Sequence, residues 1–256
     1  MYPSARNARS ILAETAHRPW TLPKLPWVMA QSWLHLLFAH WRVDADALRK
    51  IIPAGVEIDT YGGDAWVGVV PFTMIDVHAR GLPNIPGTST FPELNVRTYV
   101  TRDGKPGVWF FSLDATNRLA VWGARRFFHL PYYNAVMRST KDGEWVRYAS
   151  RRADMRGTPA ELHARYRPAS TIFRAEAGSL DEWLTERYCL YTADRKGRIT
   201  RCEVHHPQWS LRRAEAEIRV NTMIPVGLGV KLDEPPVLHY SERLDVLTWL
   251  PERVEG

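Results

Sequence analysis

The stretch LNVRTYVTRDGKPGVWFFSLD, residues 94–114, decides the fold class, because two apolar runs flank the dipeptide Asp103-Gly104. Asp-Gly between apolar runs indicates a two-residue turn that joins antiparallel strands. Similar turn signals recur around Gly62-Gly63, around Asp142-Gly143 and around residues 194–197. Four hairpins at these intervals predict an antiparallel sheet or barrel, and they argue against alternating parallel strands and helices.

Three segments between the hairpins carry helix signals. Asp44 is the predicted N-cap of a short helix that stops at Pro53, and Thr116 is the predicted N-cap of the second. Ser179 with Glu182 forms the capping-box pattern of the third. Residues 1–30 have no clear period and are predicted to form an N-terminal arm. Residues 31–256 are then predicted to be a single α+β domain, mainly antiparallel β.

Composition and charge limit the partners. The net charge is +6, with acidic and basic residues interspersed and no nucleic-acid motif, so no nucleic-acid partner is expected. The longest apolar run, WLHLLFAHW at 33–41, is too short to span a membrane, and no signal-peptide pattern begins the chain. Two cysteines and no export signal predict a cytoplasmic protein. WLHLLFAHW and the tryptophan-containing arm are candidate interfaces for a homo-oligomer.

The cysteines allow one register prediction. If Ala193 pairs with Arg198 across the fourth turn, Cys189 lies opposite Cys202 on the neighbouring strand. Two reduced thiols in contact are then expected.

The usual nucleophiles are missing from recognisable contexts. Of six lysines, Lys105, Lys141 and Lys196 fall in turns, and neither Lys50 nor Lys24 is in a buried context. Only Lys231 is undecided, so the sequence offers no convincing lysine for an imine. There is no G-x-S-x-G motif, and the nine histidines have no metal-binding spacing. No metal and no cofactor are predicted.

Two segments carry the candidate site. On a strand, one face of FPELNVRTYV, 91–100, carries Glu93, Asn95, Arg97 and Tyr99. Either this face meets water, or it lines a cavity in which charged groups are costly unless paired or used. In RRFFHLPYYN, 125–134, Tyr132 and Tyr133 point to opposite sides, so at most one of them lines that cavity.

Several motifs in order resemble the YqjF-like family of bacterial proteins, from about residue 30 to residue 215. That family is similar in fold to acetoacetate decarboxylase, which implies a cone-shaped antiparallel β-barrel with a small pocket and a few peripheral helices. The motifs that carry the resemblance are WLHLLFAHWRVD, YGGDAWVGVVPF, FPELNVRTYV, GVWFFSLDA, ARRFFHLPYYNAVM, LTERYCLY and EVHHPQW.

The resemblance also implies what is missing. The decarboxylases carry Pro-Lys-Lys, in which the first lysine forms a Schiff base with the substrate. Here Pro131 matches the proline, while Tyr132 and Tyr133 stand where the two lysines would be. Glu93 resembles the pocket glutamate. Because a phenol cannot form an imine, the decarboxylase mechanism is not expected.

Three functions remain open. The first is a protein that binds a small organic acid or related metabolite in the pocket. The second is a lyase or isomerase in which Glu93 is the general base and Tyr132 the acid, which requires a buried Glu93 that is not paired with an arginine. The third is a structural or interaction protein with a filled barrel. The predicted ligand contacts are Asn95, Arg97, Ser112, Arg125, His129 and Tyr133, with Arg97 or Arg125 as the anion partner.

Overall fold

A computed structural model describes residues 8–84, 89–194, 196–230 and 234–254 of the protein. Within those ranges it contains four helices and 13 strands. The helices are α1 (Ala8–Ala13), α2 (Ala45–Arg49), α3 (Arg118–Phe127) and α4 (Leu180–Thr185). The strands are β1 (Met29–Val43), β2 (Glu57–Ile58), β3 (Ala65–Ala79), β4 (Phe91–Arg102), β5 (Lys105–Ala115), β6 (Tyr132–Asp142), β7 (Trp145–Arg152), β8 (Glu161–Pro168), β9 (Cys189–Ala193), β10 (Ile199–His205), β11 (Arg212–Asn221), β12 (Val237–Thr248) and β13 (Glu252–Arg253).

Local turn chemistry explains the hairpins. Asp103 and Gly104 join β4 to β5 with φ values of 52° and 70°. Positive φ at both central residues is the geometry whose twist suits a two-residue hairpin, and Asp-Gly tolerates it. Asp142-Gly143 joins β6 to β7, and residues 194–198 join β9 to β10. These three predicted hairpins are confirmed.

The first predicted hairpin is only partly right. Gly62-Gly63 does form a tight turn, which the bridge between Tyr61 and Asp64 closes. The short strand before it, β2, pairs with β4 through Glu57 and Thr101 and not with β3. Both edges of β3 are occupied, by β1 and by β4, so no edge of β3 is left for β2.

The cysteine register is wrong by one residue. Ala193 pairs with Ile199, so Cys202 lies opposite Leu190, and Cys189 lies opposite Glu203. The turn sets this register, because the Asp194 carboxylate accepts hydrogen bonds from backbone N–H groups inside the loop. Both cysteines are free thiols.

The helix caps follow the sequence signals with one shift. The Asp44 carboxylate accepts from two backbone N–H groups of α2, and the Ser179 hydroxyl accepts from the N–H of Glu182. For α3 the N-cap is Asn117 and not Thr116, since the Asn117 side chain accepts from the N–H groups of two residues in the first turn. Side-chain oxygens in this position satisfy N–H groups that the helix leaves without partners.

Hydrogen-bonded strands close into two rings that share β12, β1, β3, β4 and β5. One is a nine-stranded barrel, completed by β6, β7, β8 and β11, in which β5 and β6 are parallel and the other neighbours antiparallel. The second is completed by β9 and β10, because β10 pairs with β12 and β9 pairs with β5. The predicted fold class, mainly antiparallel β with a closed barrel and few helices, is confirmed.

The shared strands are buried on both faces because a ring lies on each side of them. Inside the nine-stranded barrel, alternate residues such as Leu37, Val67 and Val96 pack with Tyr148 and Tyr166 into a filled core. The opposite faces of the same strands form a separate cluster. This second cluster surrounds the cavity described below.

WLHLLFAHW forms the middle of β1, which lies between β12 and β3 and is almost wholly buried. This run therefore fills the interior of the chain, and the expectation that it supplies an oligomer interface is wrong. Residues 8–28 pack on the outside: Ile11 contacts Leu247 and Trp249, and the Arg18 guanidinium donates to the Glu203 carboxylate. Within the described ranges, no helix has the length and apolarity needed to cross a membrane.

One buried ion pair joins β5 to β7 across the intervening strand β6. The Arg152 guanidinium donates to both oxygens of Asp114, at 2.9 and 3.1 Å, and stacks over the Tyr133 ring at 4.4 Å. The Asp114 side chain is fully buried, and that of Arg152 is 7% exposed. Burial raises the pKa of Asp114 while Arg152 lowers it.

Removing this arginine should destabilise the protein far more than removing an exposed one from the same strand. Arg152→Leu leaves the Asp114 carboxylate buried without its partner, so we expect the free energy of unfolding to fall by about 3–5 kcal/mol. Arg147, also on β7, pairs with Asp142 and is 63% exposed, so Arg147→Leu should cost less than about 1 kcal/mol. Urea unfolding of both variants measures the difference, and equal losses would contradict this role for Arg152.

Candidate functional site

A cavity of about 320 Å³ lies inside the second ring. Its walls are mostly apolar and come from β1, β3, β4, β5, β9 and β10. One side of α3 also contributes lining residues. The cavity contradicts the filled-barrel alternative for this ring, although the neighbouring nine-stranded barrel is filled. The main apolar residues are Trp33, Leu36, Phe72, Phe110, Leu113 and Trp209.

Four of the eight predicted site residues line this cavity together. Glu93, Asn95 and Arg97 lie on the face of β4 that the alternation predicted, and Tyr132 faces them from the start of β6. All four side chains are at least nine-tenths buried. The face of β4 that carries Glu93, Asn95 and Arg97 therefore does not meet water. Parallel pairing of Leu113 with Tyr132 brings β6 beside β5 and so places the tyrosine within reach of β4.

Three other predicted residues lie elsewhere. Arg125, His129 and Tyr133 line a second concavity on the outer side of α3. Tyr133 points away from Tyr132 because neighbouring residues of a strand face opposite sides. Arg125 donates from Nη1 to the backbone oxygen of Tyr132 at 2.8 Å, which ties the end of α3 to β6. As an anion partner for the cavity, Arg125 is on the wrong side of the wall.

Ser112 lines neither concavity. The pairing of β4 with β5 has a bulge at Phe111, which shifts the alternation so that Phe110 and Leu113 both face the cavity. Bulges re-aim side chains in this way. Ser112 and Asp114 consequently share the opposite face of β5, as expected, but that face points away from the cavity.

Glu93 and Tyr132 form the polar end of the cavity. The Tyr132 hydroxyl lies 3.0 Å from both carboxylate oxygens of Glu93 and donates its hydrogen bond to them. Among the described residues, no lysine or arginine forms an ion pair with Glu93. The backbone oxygen of Glu93 accepts from the Tyr148 hydroxyl at 2.7 Å, which holds this part of β4 in place.

Burial controls the protonation of this pair. Desolvation raises the pKa of Glu93 to about 8; the Tyr132 hydrogen bond opposes the shift, and the negative charge of Asp114 adds to it. Burial, followed by the charge and hydrogen bond of Glu93, also raises the pKa of Tyr132 well above its usual range. At neutral pH most Glu93 side chains are therefore protonated and the phenol keeps its proton. Glu93 therefore begins as a proton donor, whereas the sequence predicts it to be the general base and Tyr132 the acid.

Sequence reasoning missed Arg187 and His206, which also line the cavity. Arg187 directly precedes the apolar run YCLY at 188–191, and an arginine at the entrance of a buried strand is the signal that the sequence contains. Both ring nitrogens of His206 lie near backbone oxygens, Nδ1 at 2.8 Å from that of Pro207 and Nε2 at 3.3 Å from that of Arg187. Burial lowers the pKa of His206 to about 3, so the ring is neutral and its single N–H donates to one of these two oxygens.

No lysine is among the cavity-lining residues that the structure describes. Lys105 interacts with Glu203 at 3.6 Å on the outside, and Lys141 with Glu242 at 2.8 Å. Lys231, the one lysine that the sequence left undecided, lies outside the described residues. Within the same ranges, no group of three or more histidine, cysteine, aspartate or glutamate side chains is arranged to hold a metal ion.

Solved structures share this architecture at low sequence identity. Acetoacetate decarboxylase from Legionella pneumophila is similar, with a TM-score of 0.59, 14% identity and coverage of 100% of this chain and 98% of its own. An acetoacetate decarboxylase-like enzyme from Sphingomonas wittichii RW1 has a TM-score of 0.61, 12% identity and coverage of 91% and 95%. The enduracididine biosynthesis enzyme MppR, solved with the condensation product of pyruvate and imidazole 4-carboxaldehyde, has a TM-score of 0.60, 14% identity and 90% coverage of both chains.

Sequence comparison identifies much nearer relatives. The uncharacterized protein YqjF of Bacillus subtilis (strain 168) is 51% identical over 230 residues, which cover 90% of this chain and 93% of YqjF. Residues 30–245 match the family DUF2071, described as an uncharacterized conserved protein. The chain therefore belongs to the DUF2071 family and has an acetoacetate decarboxylase-like fold.

Proposed function

We propose that the protein binds a small organic acid or a related carbonyl compound non-covalently in the cavity of the second ring, beside Glu93 and Tyr132. The observation that carries this proposal is a largely apolar cavity whose polar end is a hydrogen-bonded carboxyl–phenol pair. Apolar cavities with a few fixed polar groups are the usual form of small-molecule sites. One enzyme of similar fold, MppR, is solved with pyruvate and with a condensation product of pyruvate, which supports the class of compound.

The phenol at Tyr132 determines the kind of binding. The resemblance to the decarboxylases places Tyr132 where their reactive lysine would be. A protonated phenol donates a hydrogen bond but cannot form an imine, so the ligand is held without a covalent bond. The protein is therefore proposed to lack Schiff-base decarboxylase activity.

A second candidate is an acid–base enzyme of the lyase or isomerase class. Its support is that no arginine of the described residues pairs with Glu93 and that the pKa of Glu93 is raised to about 8, near the range in which a carboxyl group exchanges protons efficiently. Glu93 protonates or deprotonates a carbon next to the ligand's carbonyl, and Tyr132 donates a hydrogen bond to the carbonyl oxygen. In this candidate the ligand is turned over.

A thermal-shift screen against small carboxylates, keto acids and enol-lactones tests the binding proposal. A ligand at a hundred times its Kd adds about 2.7 kcal/mol, which should raise the Tm by about 5 °C or more for a chain of this size. The shift should shrink in Tyr132→Phe and persist in Tyr133→Phe, which changes the adjacent tyrosine outside the cavity. Loss of the shift in Tyr133→Phe alone would assign binding to the outer concavity.

Each compound that binds is then incubated with the protein in D₂O and followed by NMR. Deuterium uptake that disappears in Glu93→Gln supports the acid–base candidate. Binding with no exchange and no product in the wild type supports a purely binding protein.

Reduction with borohydride in the presence of pyruvate tests the absence of imine chemistry. We expect no mass increase on the protein, because no lysine is proposed to reach the bound keto acid. An adduct that Lys231→Ala removes would show instead that Lys231 enters the cavity. Mass spectrometry of the intact chain measures the result.

The raised pKa of Glu93 predicts a pH-dependent stability. The native state keeps a proton that the unfolded chain releases above its ordinary pKa of 4.5, while the native carboxyl releases it only near pH 8. The stabilisation is therefore complete below about pH 4.5 and is lost as the pH rises through 8, by up to about 5 kcal/mol at about 1.4 kcal/mol per pKa unit.

Urea unfolding between pH 5 and 9 measures this slope. Glu93→Gln should remove its share of the decline, because an amide does not titrate. Glu217→Gln is the matched control: this exposed glutamate has its pKa lowered by Arg165, so it titrates below the range tested. Equal slopes in the wild type and in Glu93→Gln would show that Glu93 is ionised in the native protein.

A further inference from the structure

Five side chains on the cavity wall have buried polar atoms without hydrogen-bond partners among the described residues. Two of these atoms are indole Nε1 atoms, of Trp33 and Trp209. The other three are Oδ1 of Asn95, Nε of Arg97 and Nη2 of Arg187, on side chains that are more than nine-tenths buried. Native proteins leave few buried polar atoms unpaired, because each one loses its bonds to water. Their grouping on one cavity points to a partner that the cavity takes up.

The two arginines are held in place by other bonds. Arg187 donates from Nη1 to Asp59 at 2.6 Å and from Nε to the Trp183 backbone oxygen at 2.8 Å, and it stacks on the rings of Trp183 and Tyr99. Arg97 donates from Nη2 to the Leu184 backbone oxygen at 3.0 Å and lies over the Phe38 ring. Both guanidinium groups are therefore preorganised, which reduces the entropy lost when they bind a ligand.

Charge balance at this end of the cavity favours a monoanion. Burial lowers the pKa of Arg187, Asp59 raises it through its charge and hydrogen bond, and the positive charge of the neighbouring Arg97 lowers it. Among the described residues, no carboxylate forms an ion pair with Arg97, and the nearby His40 has a pKa lowered well below its usual range by burial. Two guanidinium groups against one carboxylate leave one uncompensated positive charge, and a planar carboxylate fits the arginine fork.

Strand geometry separates this charge from the carboxyl–phenol pair. Arg97 follows Glu93 by four residues on the same face of β4, so their Cα atoms lie about 13 Å apart, and Asn95 is between them. The cavity thus has a cationic end, an amide near its middle and a neutral acid end. A dicarboxylate does not fit, because its second carboxylate would lie at the Glu93 end of the cavity. The same burial that keeps Glu93 protonated disfavours a second negative charge there.

We infer that Arg97 and Arg187 form the carboxylate subsite of the cavity, and that the ligand is a monocarboxylic acid of several carbons. Its carboxylate binds the two guanidinium groups, a hydroxyl along its chain pairs with Asn95, and its far end reaches Glu93 and Tyr132. The inference rests on the proposed function and names the class of ligand for that site. Arg97 and Arg187 also determine specificity, because they favour an anionic ligand over a neutral one.

Calorimetric titration tests this subsite with straight-chain monocarboxylates from propanoate to octanoate, their 3-hydroxy derivatives and the neutral amides of the same acids. For wild type we expect the best acid to bind at least ten-fold more tightly than its amide. Arg97→Met should weaken that acid at least ten-fold and leave the amide unchanged. Arg187→Lys keeps a cation for Asp59 but loses the fork, so it should weaken the acid as well. Arg147→Met, which changes an exposed arginine, should have no effect.

The outcomes separate the subsite from the proposed function. An acid that binds as well to Arg97→Met and Arg187→Lys as to wild type, but more weakly to Tyr132→Phe, overturns the subsite and leaves the proposed function standing. An amide that binds wild type as tightly as its acid also overturns the subsite, and this comparison needs no variant to fold. Failure of every compound to bind wild type overturns the subsite, and the proposed function falls with it if the keto acids and enol-lactones of the thermal-shift screen do not bind either.

Discussion

The site depends on the burial of both faces of β4. The strand is shared by two closed rings, so hydrogen-bonded neighbours and packed side chains lie on each side of it. Carboxyl and guanidinium groups on such a strand lose their contact with water, which is costly unless other groups compensate. Glu93 keeps its proton, with a pKa raised to about 8, and the Arg97 guanidinium donates to the Leu184 backbone oxygen and lies over the Phe38 ring.

A tyrosine at position 132 suits this environment better than a lysine would. An ammonium group beside Glu93 would favour an ionised carboxylate and form a buried ion pair. A phenol forms a neutral pair with the protonated Glu93, and its hydrogen bond stabilises the carboxylate that remains if Glu93 passes its proton to a ligand. The proposed binding and proton-transfer functions both follow from this pair.

Features that rest on neighbouring residues were predictable. Asp103-Gly104 determines a turn because its two residues adopt positive φ with little strain, and Asp44 and Ser179 cap their helices through bonds to residues two or three positions away. The pairing of β2 and the register of Cys189 were not predictable. The pairing of β2 depends on which strand edges remain free. The register of Cys189 depends on the Asp194 carboxylate, which accepts hydrogen bonds from the backbone of the loop between β9 and β10.

The sequence by itself determined the face of β4 that carries Glu93, Asn95 and Arg97, the opposition of Tyr132 and Tyr133, and the absence of a lysine at Tyr132, because alternation and residue type need no partner. Only the tertiary structure decided which of those faces is inside. The bulge at Phe111 points Ser112 away from the cavity. Arg125 and His129, at and just after the end of α3, lie on the outer surface. Arg187, just before β9, lines the same cavity as Arg97. These placements join residues that are distant in sequence, so no local pattern specifies them.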